Sequence, residues 1–101
     1  MEIARVKGTV VATRKDKKLS GYKLLLLEFT DVSGIAKGGM PVVALDSVDA
    51  GVGDLVLVVR GSSARQAVNM STTPVDAIVI GVIDSIEFSG STSYNASSQP
   101  Q

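Results

Sequence analysis

Apolar and polar residues alternate along the first part of the chain. Between Ile3 and Thr13, Ala4, Val6, Gly8, Val10 and Ala12 fall on one face, and Arg5, Lys7, Thr9 and Thr13 on the other with Ile3 and Val11. This period of two predicts a half-buried strand. Arg14 to Gly21 is a charged loop ending in the turn-forming pair Ser20-Gly21. The alternation vanishes from Tyr22 to Thr30, where Leu24-Leu25-Leu26-Leu27 makes a second strand apolar on both faces. Asp31 to Pro41 carries Gly34, Gly38 and Gly39 and predicts a long loop or irregular hairpin. Pro41 to Asp46 is the third strand and Leu55 to Arg60 the fourth. Between them, Asp49-Ala50-Gly51-Val52-Gly53-Asp54 forms a tight structural turn, with Ala50, Gly51 and Gly53 at its centre.

Gly61 ends the fourth strand, and Ser62 is placed to cap a short helix through about Val68. Asn69 to Pro74 breaks that helix. Val75 to Phe88 then reads as one long fifth strand, bent or bulged at Gly81, before a turn at Ser89-Gly90-Ser91. Residues 1–90 are accordingly assigned to a single β-barrel domain and 91–101 to a polar tail. Within the tail, Thr92 to Tyr94 is a candidate terminal strand, with disorder the default beyond Asn95. The fold class is all-β: a small five-stranded OB-like barrel with one short helix between strands four and five. The usual OB helix lies between strands three and four, so the plan is not an obvious copy.

The apolar faces outnumber what one barrel interior can absorb. The fifth segment alone sets Ile78, Ile80, Val82, Ile86 and Phe88 on one side, and Val75, Ala77, Val79 and Ile83 on the other. Loops and the helix can cover part of the second face. The remainder would be a large exposed apolar patch, which soluble monomers avoid, so a stable oligomer is expected.

Composition narrows the chemistry. The chain is 45% hydrophobic but 4% aromatic, so aliphatic residues fill the core. With no histidine and no cysteine, it can form neither a Ser-His-Asp nor a Cys-His site, nor a Cys/His zinc site, nor a disulfide. No apolar run approaches the roughly 20 residues of a membrane helix. The opening Met1-Glu2-Ile3-Ala4-Arg5 lacks the apolar centre of a secretory signal. Net charge is zero, yet seven of the ten basic residues lie between Arg5 and Lys23, a local asymmetry rather than a polycation.

Three segments resemble one known family. The first is Gly8-Thr9-Val10-Val11-Ala12-Thr13-Arg14-Lys15-Asp16 with Leu19, Gly21 and Lys23-Leu24-Leu25-Leu26. The second runs from Val43-Ala44-Leu45-Asp46 through Asp49-Ala50-Gly51-Val52-Gly53-Asp54 into Val56-Leu57-Val58. The third is Gly61-Ser62-Ser63-Ala64-Arg65, then Pro74-Val75-Asp76-Ala77 and Gly81-Val82-Ile83-Asp84. Together, in order and across nearly the whole chain, they look like the EutN/CcmL family of microcompartment vertex proteins. The resemblance implies a homopentamer of OB-like barrels at the vertices of a polyhedral shell, in the bacterial cytoplasm, beside hexameric and trimeric shell proteins. It implies no enzyme activity, cofactor or membrane partner. Asp49 departs from the pattern, since relatives commonly carry glycine there.

Several features invite a sharper chemical reading. Ser62 and Ser63 lack both the Gly-x-Ser-x-Gly spacing and a histidine to activate them, so capping and subunit packing are preferred to catalysis. Arg65 is a candidate for an intersubunit hydrogen bond or ion pair, with Asp76 or Asp84 as acceptor, against the alternative of a solvated local pair. Gly51 and Gly53 lack a dinucleotide or Walker pattern. Asp46, Asp49 and Asp54 lack calcium-loop spacing, so no metal site is assigned. The cluster Arg14, Lys15, Lys17 and Lys18 is either a solvated run or a contact to adjacent shell proteins or cargo. An OB-type module for single-stranded nucleic acid is the alternative function. Zero net charge and only Tyr22, Phe29, Phe88 and Tyr94 for base stacking argue against nucleic acid as a partner.

Overall fold

The computed structural model describes residues 1–13, 15, 17–19, 21–61 and 76–98. Ser62, Ser63, Ala64 and Arg65, with the helix expected through Val68, lie outside the described residues. Five strands close into a barrel: β1 (Glu2–Val10), β2 (Lys23–Phe29), β3 (Val42–Asp46), β4 (Leu55–Arg60) and β5 (Ala77–Val82), in the order β1-β2-β3-β5-β4. All neighbouring pairs are antiparallel except β3 and β5, which run parallel through Leu45–Ile78 and Asp46–Val79. A separate two-stranded sheet joins β6 (Ser85–Phe88) to β7 (Ser91–Asn95).

The leucine run explains why β2 has no polar face. Leu25 and Leu27 are fully buried and point inward, where they pack with Ala4, Val6, Ala44, Val56, Val58 and Val79. Small residues at positions 4, 44, 50 and 77 let so narrow a barrel close around its larger side chains. Leu24 and Leu26 point outward and are only half-buried.

The two-sided apolar pattern is partly absorbed outside the barrel. Leu45, Val59 and Ile78 form one external cluster, against which Leu19 and Ile80 pack. Leu19 closes a short 3₁₀ turn, Lys17–Leu19. A second cluster joins Leu55, Ile83 and Tyr94 with Ile3, Leu57 and Ile86, and here the β6–β7 hairpin is the cover. Each fully buried aliphatic side chain contributes about 1.5–3 kcal/mol, so these external clusters add materially to a small domain.

Three expectations need correction. The face of the first strand does not run unbroken from Ala4 to Ala12. The register shifts between Val6 and Gly8, leaving Lys7 as the extra residue of a bulge. Ala4 and Val6 therefore face inward, whereas Gly8 and Val10 pair with the outward Leu26 and Leu24.

Nor is the fifth segment one strand to Phe88. The ladder of β5 ends at Val82, Ile83 N–H donates to Leu55 O at 2.8 Å, and the chain leaves the barrel through Asp84 into β6. Its irregularity falls beside Gly81, as Val58 pairs with Val79 and Leu57 with Gly81, so Ile80 is extra. A Cβ at Gly81 would meet Leu57 Cδ1 at 3.4 Å, an ordinary van der Waals contact.

Finally, Ala96–Ser98 is a 3₁₀ turn instead of disordered chain. Asn95 Oδ1 accepts from Ser97 N–H at 3.0 Å, and Ala96 N–H donates to Asp84 O at 2.8 Å, which ties the turn down.

Candidate structural joint and contact faces

The β3–β4 turn is built on carboxylates. Asp46 at the end of β3 is 6% exposed, and its two oxygens accept from Val48 N–H at 3.1 Å and Ala50 N–H at 2.9 Å. Asp54 Oδ2 accepts from Gly51 N–H at 2.9 Å. The turn is then stitched to β1: Gly53 N–H donates to Val6 O at 2.8 Å, and Val6 N–H to Asp54 O at 2.9 Å. Ala50 is fully buried beneath it. Asp49 has φ +57° and Gly53 φ +95°, both in the left-handed region. The left-handed backbone at position 49 is a conformation that glycine adopts freely and that aspartate also tolerates.

Lys23, at the start of β2, closes this turn from outside. Its Nζ lies 3.0 Å from Asp49 Oδ1, 3.4 Å from Asp46 Oδ2 and 2.7 Å from Ala50 O. The hydrogen bond to Asp49 is the main cause of a raised lysine pKa, opposed by desolvation and reinforced by Asp46. These carboxylates already serve backbone and lysine donors. Among the described residues, no group of three or more His, Cys, Asp or Glu side chains could hold a metal ion.

The joint after β4 is visible at its two ends. Gly61 has φ +67°, and its N–H donates to Asp76 O at 2.8 Å, so the chain leaves and re-enters the barrel at one point. Asp76 precedes Ala77, the first residue of β5, whereas Asp84 follows the far end of that strand. At about 3.3 Å per residue, the two carboxylates stand roughly 25 Å apart along the chain. The structure brings Gly61 and Asp76 together but does not bring Asp76 and Asp84 into one site. Ser62, Ser63, Ala64 and Arg65 lie outside the described residues.

Arg5 is a junction that the alternation pattern conceals. Its Nη1 donates to Gly53 O at 3.0 Å and its Nη2 to Gly34 O at 3.1 Å, while the guanidinium lies 5.8 Å from the Tyr94 ring centroid. One side chain thereby links the β3–β4 turn, the β2–β3 loop and the terminal hairpin. Gly34 has φ +81°, and a Cβ there would fall 2.6 Å from Arg5 Nη2, so this glycine serves both conformation and space. At the other end of the barrel, Arg60 stacks 5.1 Å from the Phe29 centroid and lies 3.7 Å from Glu2.

Among the described residues, two apolar surfaces are left incompletely covered. One is the outer face of β1, β2 and β3, where Val10, Leu24 and Leu26 are half-buried and Val43 is 47% exposed. The cross-strand partners Val10–Leu24 and Leu26–Val43 make this face continuous. The other is a groove of about 450 Å³ between barrel and hairpin, lined by Ile3, Leu57, Val82, Ile83 and Ile86 with Asp84 and Ser85 at its edge. Phe88, at the end of β6, is 59% exposed. The outer face of β2 and β3, where OB modules bind oligonucleotides, is lined within the strands by Leu24, Leu26 and Val43, with Tyr22 exposed just before β2. Among the described residues, no helix is long and apolar enough to cross a membrane.

The EutN/CcmL family profile, described as ethanolamine utilisation protein EutN/carboxysome, matches residues 1–84. The carboxysome shell vertex protein CcmL of a Nostoc species is 44% identical over 99 residues, covering 98% of each chain. The bacterial microcompartment shell vertex protein EutN of Salmonella typhimurium is 41% identical, covering 94% of this chain and 95% of that relative. Among solved structures, Gloeobacter violaceus CcmL superposes with a TM-score of 0.87 at 41% identity, covering 96% of this chain and 99% of the other. The pentameric microcompartment shell protein GrpN of Rhodospirillum rubrum gives 0.78 at 42% identity, covering 87% and 99%. With the closed barrel, the carboxylate-built turn and the outward aliphatic face in place, these matches show that the chain belongs to the EutN/CcmL family.

Proposed function

We infer that this chain is a pentameric vertex protein that closes the polyhedral shell of a bacterial microcompartment. The observation that carries the reading is the continuous aliphatic face on a barrel that matches pentameric shell proteins over most of its length. Flat hexagonal tiling cannot close a polyhedron without fivefold corners. A head-to-tail contact that rotates each subunit by one fifth of a turn closes into a ring and consumes apolar faces of this kind. Similar identities to a carboxysome and an ethanolamine-utilisation relative, 44% and 41%, make the vertex role their common ground.

The working mechanism is geometrical, without catalysis, in the bacterial cytoplasm and against hexameric and trimeric shell proteins. The outer face of β2 supplies subunit contacts, together with exposed Val82 at the end of β5, whereas Ile78 on β5 is already covered within its own subunit. Arg65 helps set the angle between subunits, with Asp76 or Asp84 of an adjacent subunit as its acceptor. Native mass spectrometry tests the assembly: a pentamer is expected, and a monomer or dimer at micromolar concentration sinks the reading. Arg65→Ala tests the angle-setting role and is expected to speed pentamer dissociation. Unchanged mass and dissociation in that variant would remove Arg65 from the interface.

A further inference from the structure

We propose that the open edge of β6, with the apolar groove beside it, is a docking site for an extended basic segment of a partner protein, which joins the β6–β7 sheet as a third strand. The site lies on a single subunit and goes beyond the vertex reading, which does not depend on it.

Main-chain geometry defines the edge. β6 pairs with β7 and with no other strand. Asp84 O accepts from Ala96 N–H at 2.8 Å, so the Asp84 carbonyl faces the β7 side. Successive residues of a strand turn their N–H and C=O groups to opposite sides, so Ile86, the register partner of Tyr94, also faces β7. Ser85 and Glu87 turn theirs away. The irregularity of this ladder leaves that order intact, because its extra residue is Ser93 on β7. Ser85 and Glu87 thus present main-chain donors and acceptors to which no strand is paired among the described residues. The β7 side differs, since Ser93 Oγ donates to Val32 O at 2.6 Å in the loop that follows β2.

The groove borders the same edge. It takes Ser85 and Ile86 from β6 and no residue from β7, and Ile3, Leu57 and Val82 of the barrel complete its apolar lining. Ile86 and Tyr94 pack on the barrel and so mark the face of the sheet that meets it. On an added strand every second side chain shares that face and meets Ile3, Leu57 and Val82, while the others face solvent. Main-chain bonds along β6 give such a segment its affinity, and the groove selects aliphatic side chains at alternate positions.

Charge identifies the occupant. Asp84 borders the groove and Glu87 projects from the solvent face of β6, both exposed. Neither carboxylate has a hydrogen bond or ion pair among the described residues. β6 itself carries no basic residue. Two copies meeting β6 to β6 would therefore set carboxylates against carboxylates, which disfavours self-pairing. A segment alternating aliphatic with lysine or arginine residues matches both faces, its cations on the solvent side opposite Glu87.

The test titrates a fluorescein-labelled heptapeptide of alternating valine and lysine onto the full-length protein by fluorescence anisotropy, with native mass spectra recorded in parallel. Saturable binding to the intact assembly is expected. The same peptide N-methylated at alternate residues cannot complete the ladder and is expected to bind at least about tenfold more weakly. E87P removes an N–H that faces the open edge, a position where proline is tolerated, and is expected to weaken the parent peptide similarly. D84N/E87Q keeps the shape and is expected to lose affinity and most of its salt dependence. The N-methylated peptide keeps the test valid should E87P fail to fold. No saturation with the parent protein, or binding undiminished by N-methylation or by D84N/E87Q, overturns the proposal. A peptide that dissociates the assembly as it binds shows that a second copy holds this edge, which also overturns it and leaves the vertex reading standing. A parent that is monomeric by native mass but binds the peptide as expected removes the vertex reading and supports this site.

Discussion

Lys23 reaches from the first residue of β2 to within 3.4 Å of Asp46 at the last residue of β3, its register partner across the ladder. The pair caps a carboxylate whose two oxygens already hold Val48 and Ala50 N–H, so the strand end, the turn and the barrel rim share one anchor.

Removing that anchor is costly. Asp46→Ala leaves two backbone N–H groups without an acceptor in a buried corner, and the expected loss is about 2–4 kcal/mol. Lys23 is 40% exposed in its side chain. Its loss in Lys23→Met should therefore cost clearly less than the loss of Asp46, because water screens the ammonium. Equilibrium urea unfolding of both variants checks the order.

The Lys23 contact also has a pH signature. Because the folded state raises the lysine pKa, chiefly through Asp49, its stabilisation is complete below the unfolded-state pKa and disappears as pH climbs through the folded-state value. The stability difference between parent and Lys23→Met should stay flat from about pH 7 to 9 and shrink above the ordinary lysine range near 10.4. A difference that shrinks instead on acidification below neutrality, with the carboxylates still ionised, would contradict this assignment.

Asp49 separates backbone demand from side-chain contact. At φ +57° glycine is free of the Cβ penalty, while the Lys23 contact it would lose is largely solvent-exposed. Asp49→Gly should change stability by less than about 1 kcal/mol. Asp49→Val, β-branched at a left-handed position, should cost about 1–2 kcal/mol more than the glycine variant. Thermal unfolding of the two proteins gives the comparison.

Arg5 predicts a local rather than a global effect. Arg5→Lys cannot keep the paired contacts to Gly53 and Gly34 together with stacking on Tyr94. Amide hydrogen exchange should accelerate in β6 and β7 while Leu25 and Val58, inside the barrel, remain protected. Gly34→Ala, driven into Arg5 Nη2, should reproduce that pattern.

Much of the architecture was legible because it follows period and punctuation. Alternation and the two-sided leucine run mark β1 and β2, and the glycines at 51 and 53 mark the turn after β3. The failures share a cause. Lys7 inserts one residue into β1 and reverses every face after it, a shift set by pairing with β2 and invisible to any count along one strand. The fifth segment divides because Ile83 bonds back to Leu55 across the barrel, again a partner effect. Arg5 looked like an ordinary polar residue of an alternating strand, since its three contacts lie 29 or more positions away in sequence. The apolar surplus was readable as a total. Its division between two external clusters and one uncovered face required the fold.

The parallel β3–β5 pairing completes the barrel and has a consequence for crowded cells. Every barrel strand has neighbours on both sides, so the barrel offers no main-chain template to a stray chain; open edges remain, among the described residues, only on the short β6–β7 sheet. Molecules of this kind recognise one another by shape and by side chains, and a contact of fixed angle runs out of vacancies once the circle is full. A part whose growth stops by itself is what a capsule needs at its corners, because a surplus of such parts leaves finished rings in solution and not fibres.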